Sequence, residues 1–348
     1  MTRLLAYSDA LAEATTLAME RDPAVFLMGV GVDDPGGIFG STTLPHDRFG
    51  DARVFDTPIS ECALTGAAIG AALTGMRPLM VHARCDFLLL TLDQLANHAA
   101  KWSYMSGGRL TAPVVVRAVI GRGWGQAAQH SQSVQAALAP FPGMQVIMPA
   151  TAYDAKGMLL SALTGRWPVV CLEHRWLYGL KDDVPEGFYT VEIGRARTAR
   201  AGTDATVVAL SHMVVEATKA AEVLAKEGID VEVIDLRSVV PWDRETVCAS
   251  VRRTGRLVVA DTGPRSFGVG AEIAAVVNEE LFGELRAPVR RVGLPDVPTP
   301  CAPNLEAAFY PGSADLVRTV RALVRGADHG ASGEASAARH DKPFTGAF

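Results

Sequence analysis

Cysteine is scarce in this chain of 348 residues: five, at Cys62, Cys85, Cys171, Cys248 and Cys301, odd in number and without a C-x-x-C pair. That scatter argues against a disulfide framework and a thiolate zinc site, and leaves reduced core or interface thiols as the expectation. Basic clusters are lacking as well. The net charge is −5 and no Lys/Arg block stands out, so the electrostatic footprint that nucleic acid or an anionic membrane requires is missing. No apolar run reaches the roughly 18 residues of a membrane-spanning helix. The opening MTRLLAYSDALAEATTLAMERD has no basic flank before an unbroken apolar stretch, and is expected to form a surface helix, not a signal peptide. A cytoplasmic protein without nucleic-acid or membrane partners is the expectation. Nucleotide fingerprints are also absent: the glycines near 29 to 31, 121 to 125 and 268 to 270 complete neither G-x-G-x-x-G nor a P-loop. H-E-x-x-H and G-x-S-x-G are missing too.

Apolar material is plentiful. With 49% hydrophobic and 20% charged residues, the chain has enough for two cores, and its length exceeds what one usually serves. Apolar runs bounded by turn residues predict buried parallel strands at VFLMGV (25 to 30), PLMVHA (78 to 83), PVVVRAVI (113 to 120), MQVIMPA (144 to 150) and WPVVCLE (167 to 173). Segments of helical period lie between them, and GAAIGAALTG is small and apolar throughout, as suits a helix packed closely on both sides. This is an α/β pattern with a mostly parallel sheet. The polar passage from about 180 to 204 reads as a connection carrying one extended segment. Beyond it ATVVAL, VEVIDLR and RLVVAD alternate with helical stretches, a second and smaller α/β unit. The expected domains are 1–190 and 191–326. Residues 327–348 are too polar and small to offset their ordering entropy, and are expected to form a flexible tail whose end, PFTGAF, can dock.

The most informative segment is FDTPISECALTGAAIGAALTG, residues 55 to 75, where Glu61 follows a proline-containing turn and opens the small-residue helix. An acid pressed against apolar packing favours its protonated form. The plainer alternative is a helix-start glutamate paired with backbone donors or a lysine. Further ordered motifs accompany it: DFLLLTLDQLANHAAKWSYMSGG at 86 to 108, HSQS at 130 to 133, MPATAYDAKGML at 148 to 159, VEVIDLRSVVPWD at 231 to 243 and PDVPTPCAPNLEAAFYP at 295 to 311.

Together these motifs resemble the β subunits of pyruvate, branched-chain 2-oxo acid and acetoin dehydrogenases, thiamin diphosphate enzymes of the transketolase-like superfamily, over nearly the whole chain up to the tail. The resemblance implies a pyrimidine-binding domain followed by a transketolase C-terminal-like domain. It implies that Glu61 hydrogen-bonds the cofactor's aminopyrimidine and promotes the imino form, whose nitrogen takes the thiazolium proton. Phe87 matches an aromatic position packed against that ring, although core filling is the commoner fate of such a residue. His130 matches a histidine lining the substrate channel, suited to donate to an oxyanion or carry a proton, against the alternative of a surface turn residue. His82, His98, His174 and His212 have weaker claims and read as structural, although His82 and His174 lie at strand ends, where a substrate mouth can open.

The magnesium-binding G-D-G motif of such enzymes is absent. The resemblance supplies the reason: a separate α subunit brings the diphosphate and Mg²⁺ site, two α and two β chains assemble, and the β chain itself binds no metal. Departures from the family pattern are informative. Val30 stands where an acid is common, with Asp33 and Asp34 as displaced substitutes. Arg84 replaces an aromatic residue and is suited to bind a carboxylate or phosphate, or to pair with Asp86. Trp124, with Gln126 and Gln129, reshapes the entrance before His130 and is assigned to substrate binding.

The leading function is therefore decarboxylation of a 2-oxo acid with acyl transfer to a lipoyl or other thiol carrier. One alternative keeps the cofactor but transfers a two-carbon ketol unit from a ketose phosphate or 2-oxo acid. A non-catalytic stabilising partner of the α chain is another. An NAD-linked oxidoreductase is disfavoured by the missing glycine fingerprint.

Overall fold

The computed structural model describes residues 2–121 and 126–326; the expected tail and Trp124 lie outside them. The described residues form two compact units. Among the described residues, one comprises Thr2–Ile120, Val134–Ala196 and Leu236–Asp243; the other comprises Gly121, Gln126–Ser133, Arg197–Asp235 and Arg244–Gly326. Each unit is assembled from segments that are distant in sequence.

The first unit is built on a seven-stranded sheet ordered Ser238–Val240, Gln145–Ile147, Val169–His174, Val115–Ile120, Arg77–His82, Val25–Met28, Val54–Phe55. Every neighbouring pair is parallel except the edge pair Ser238–Val240 with Gln145–Ile147. The central strands Val115–Ile120 and Val169–His174 are buried at all positions, which explains their unbroken apolar runs. The second unit carries a five-stranded sheet ordered Arg290–Leu294, Leu257–Pro264, Ala205–Ala209, Val231–Asp235, Arg197–Arg200, antiparallel only at the last pair. Its helices His212–Ala225 and Ser313–Arg325 pack on each other. The α/β architecture with mostly parallel sheets is the one expected.

Two local expectations are corrected. The helix Tyr7–Arg21 is not a surface helix: Tyr7, Ala10, Leu11, Ala14, Ala18 and Met19 are buried, and it packs against Ala152–Thr164. Its acidic residues had suggested exposure, but they occupy only the narrow solvent face. The passage after residue 180 holds two strands instead of one extended segment. Lys181–Pro185 pairs antiparallel with Thr2–Ala6, and Arg197–Arg200 joins the second sheet. Polar edge strands of this kind carry too little apolar periodicity to be read from sequence.

Candidate functional site

The helix Glu61–Leu73 begins at the carboxyl edge of the first sheet, where ligands collect in parallel α/β folds. It follows the strand Val54–Phe55 and precedes Arg77–His82, on which it packs. Thr65 Oγ1 donates to the Glu61 carbonyl at 2.7 Å and lies 3.2 Å from Met80 Sδ, fixing the helix against that strand. Glu61 is 9% exposed. The side of the helix carrying Cys62, Ala63, Ala67 and Gly70 is exposed in the single chain, so the close packing expected on both sides is present on one.

The chain approaches this edge tightly at Gly29. A Cβ there would lie 2.2 Å from the Val81 carbonyl oxygen, at a φ of +156°, so only glycine fits. Gly31 follows with φ +72° and donates its N–H to Asp56 Oδ1 at 2.7 Å. Val30 is exposed between them. Asp34 lies over Gly31, its Oδ2 2.9 Å from where a Cβ would stand.

Arg84 and Phe87 sit just past the strand Arg77–His82, in the same unit as Glu61. Arg84 is 3% exposed and Phe87 37%. The Arg84 guanidinium lies 5.2 Å from the Phe39 ring centre, and that of Arg175 lies 4.5 Å from the same ring. Burial, reinforced by the positive charge of Arg175, lowers the Arg84 pKa from its ordinary value. Ile38 and Phe39 have φ of 36° and 58°, a left-handed conformation that costs non-glycine residues energy and is held by the surrounding packing. Burial also lowers Arg175.

Beneath this cluster lies a polar network that sequence reasoning did not single out. Arg117 Nε donates to Glu173 Oε1 at 2.5 Å and its Nη2 to Glu173 Oε2 at 3.0 Å and Ser41 Oγ at 2.8 Å. Tyr178 Oη donates to Glu173 Oε2 at 2.6 Å. Burial opposes the Arg117 charge, but Glu173 overcomes it and holds the guanidinium above its ordinary pKa. The Tyr178 phenol is pushed up by burial and by the Glu173 charge. A signal existed: VVVRAVI and WPVVCLE each interrupt an apolar run with one charge, of opposite sign, on strands predicted to be buried.

His130 belongs to Gly121–Ser133, which clusters with the second unit; it is half-buried. Trp124 lies outside the described residues. Among the described residues no group of three His, Cys, Asp or Glu side chains is arranged to hold a metal ion, and no helix is long and apolar enough to cross a membrane. A cavity of about 420 Å³ in the second unit is lined by Arg265, Arg291, Asp296, Phe309 and Arg318, among others. None of the sequence-predicted site residues lines it.

Residues 3–181 match the transketolase pyrimidine-binding domain family, and residues 194–316 the transketolase C-terminal domain family. The chain is 41% identical over 339 residues to the β subunit of acetoin:2,6-dichlorophenolindophenol oxidoreductase from Cupriavidus necator, covering 94% of this chain and 100% of that one. It is 43% identical over 317 residues to the mitochondrial β-2 subunit of the pyruvate dehydrogenase E1 component from Oryza sativa, covering 90% and 84%. A solved split-gene transketolase, described as an inactive β4 tetramer, has a TM-score of 0.76 at 26% identity over 92% of this chain and 99% of that one. Fold and matches together define a two-domain chain of the transketolase type. It belongs to the β-subunit family of the thiamin diphosphate-dependent 2-oxo acid dehydrogenases, whose pyruvate- and acetoin-linked members it resembles over almost its full length.

Proposed function

We propose that this chain supplies the aminopyrimidine half of a thiamin diphosphate site and completes it with an α subunit in an α2β2 assembly that decarboxylates a 2-oxo acid and passes the acyl unit to a lipoyl or other thiol carrier. The observation that carries this reading is Glu61: an acid 9% exposed, at the first turn of a helix and at the carboxyl edge of a parallel sheet, with no metal-binding group among the described residues beside it. The residues fit the ring half of the cofactor. Glu61 offers a carboxyl to a ring nitrogen, and the half-open Phe87 offers an aromatic face. The Thr57 hydroxyl, four residues before Glu61, is buried without a hydrogen-bond partner.

Thiamin diphosphate held beside Glu61 and Phe87 would supply the nucleophilic carbon chemistry of the reaction. The chain's own residues hold and move protons and orient the ligands. Glu61 hydrogen-bonds and, as an acid, exchanges a proton with the aminopyrimidine. Arg84, backed by Arg175, binds the substrate carboxylate. His130 is assigned, as part of this proposal, the donation of a hydrogen bond to the developing oxyanion. Mg²⁺ and the diphosphate are assigned in this proposal to the α subunit, where hard oxygen ligands would hold the metal. The exposed small-residue side of the Glu61 helix, together with Ile59, Leu90, Tyr104 and Met105, supports burial against another chain. The five free cysteines support a reducing compartment, and we place the protein in the cytoplasm.

Mixing the chain with a companion that carries G-D-G and a downstream asparagine, plus thiamin diphosphate and Mg²⁺, tests the reading against a panel of 2-oxo acids and ketose phosphates. Carbon dioxide release from 2-oxo acids is expected. Cleavage of ketose phosphates alone contradicts it.

A further inference from the structure

His82 closes the strand Arg77–His82 and is 6% exposed. Its Nε2 is sealed from solvent without a hydrogen-bond partner. A buried polar atom left unpaired costs about 1–3 kcal/mol, so an apolar residue would serve the core better at this position. Such local violations concentrate where a ligand completes the structure.

The register places His82 beside Glu61. Side chains alternate along a strand, so Met80 and His82 share one sheet face, and Thr65 fixes the Glu61 helix over that face by its contact with Met80. The helix follows the carboxyl end of one parallel strand and leads into the amino end of the next, so it runs opposite to them. Glu61 stands one turn before Thr65, roughly 6 Å toward the carboxyl edge. His82 stands two residues beyond Met80, again roughly 6–7 Å toward that edge. Both side chains therefore emerge at the same level of the same face. Thr57, at the turn leading into the helix, adds a second buried and unpaired polar atom, its hydroxyl oxygen. Burial lowers the His82 pKa to about 4, so the imidazole is uncharged at neutral pH.

We propose that His82 is a further binding residue of this site, its imidazole completing a hydrogen bond with the ligand group seated beside Glu61. The inference rests on the reading of Glu61 given above. Two sources offer that group, the aminopyrimidine edge of the cofactor and an oxygen of the 2-oxo acid.

His82→Phe and His82→Gln are compared with the unaltered chain, each assembled with its α partner. Thiamin diphosphate with Mg²⁺ is titrated by equilibrium calorimetry without substrate, and the KM for the 2-oxo acid is then measured at saturating cofactor. His82→Phe is expected to weaken one of the two by roughly 3- to 10-fold, the range of one net hydrogen bond, and His82→Gln to restore most of it. A weakened cofactor Kd assigns the bond to the aminopyrimidine; a raised KM with unchanged Kd assigns it to the substrate. Should the Phe variant not assemble, His82→Leu carries the same comparison. Wild-type Kd and KM in the apolar variant overturn the proposal. Glu61→Gln separates the two levels: if it falls while His82→Phe does not, only the His82 assignment fails. If Glu61→Gln itself leaves binding and turnover intact, the underlying reading fails.

Discussion

Arg117 and Glu173 each place one charge inside an otherwise apolar strand, and with side-chain exposures of 0% and 1% they depend on one another. Arg117→Met leaves Glu173 buried without its counter-charge and is expected to cost about 3–5 kcal/mol, read as a lowered denaturation midpoint. His82 sets a pH limb of its own. Its pKa falls from an ordinary 6.5 to about 4 through burial, so the unfolded chain takes up the proton first. The stability this neutral histidine retains at pH 7 is lost as pH drops from about 6.5 toward 4, by roughly 3 kcal/mol at most. Thermal unfolding across that window should fall less steeply in His82→Phe than in the unaltered chain; parallel curves contradict the assignment.

At the scale of elements, Thr65 holds the Glu61 helix against Met80, and the close approach of Gly29 to Val81 fixes the neighbouring edge of the sheet. Gly29→Ala forces a methyl to within 2.2 Å of a carbonyl oxygen and is expected to destabilise by about 1–3 kcal/mol. A variant with an unchanged unfolding temperature contradicts that packing. Much of this was legible in the sequence, because central strands buried on both faces write themselves as continuous apolar runs. The Glu61 helix was legible for the same reason, as a stretch of small residues after a proline turn. The edge strands Thr2–Ala6, Lys181–Pro185 and Arg197–Arg200 were not, since their partners are distant in sequence and their faces half polar. Phe39 and Arg175 also escaped notice. They meet Arg84 only through the crossovers of the sheet, and nothing in their local sequence marks them.

At the scale of the whole molecule, each compact unit draws on separated stretches of chain: Gln126–Ser133 groups with the second unit and Leu236–Asp243 with the first. The sequence disclosed the site only as half of one, through Glu61 and the absence of a G-D-G motif, and the exposed apolar residues near Glu61 call for another chain. The central claim is that Glu61 acts on the cofactor within such an assembly. The direct measurement is carbon dioxide release by the reconstituted α/β enzyme, with thiamin diphosphate and Mg²⁺ saturating, for the unaltered chain and for Glu61→Gln assembled with the same partner. The account predicts a loss of at least roughly 100-fold in the variant; turnover equal to that of the unaltered enzyme contradicts it.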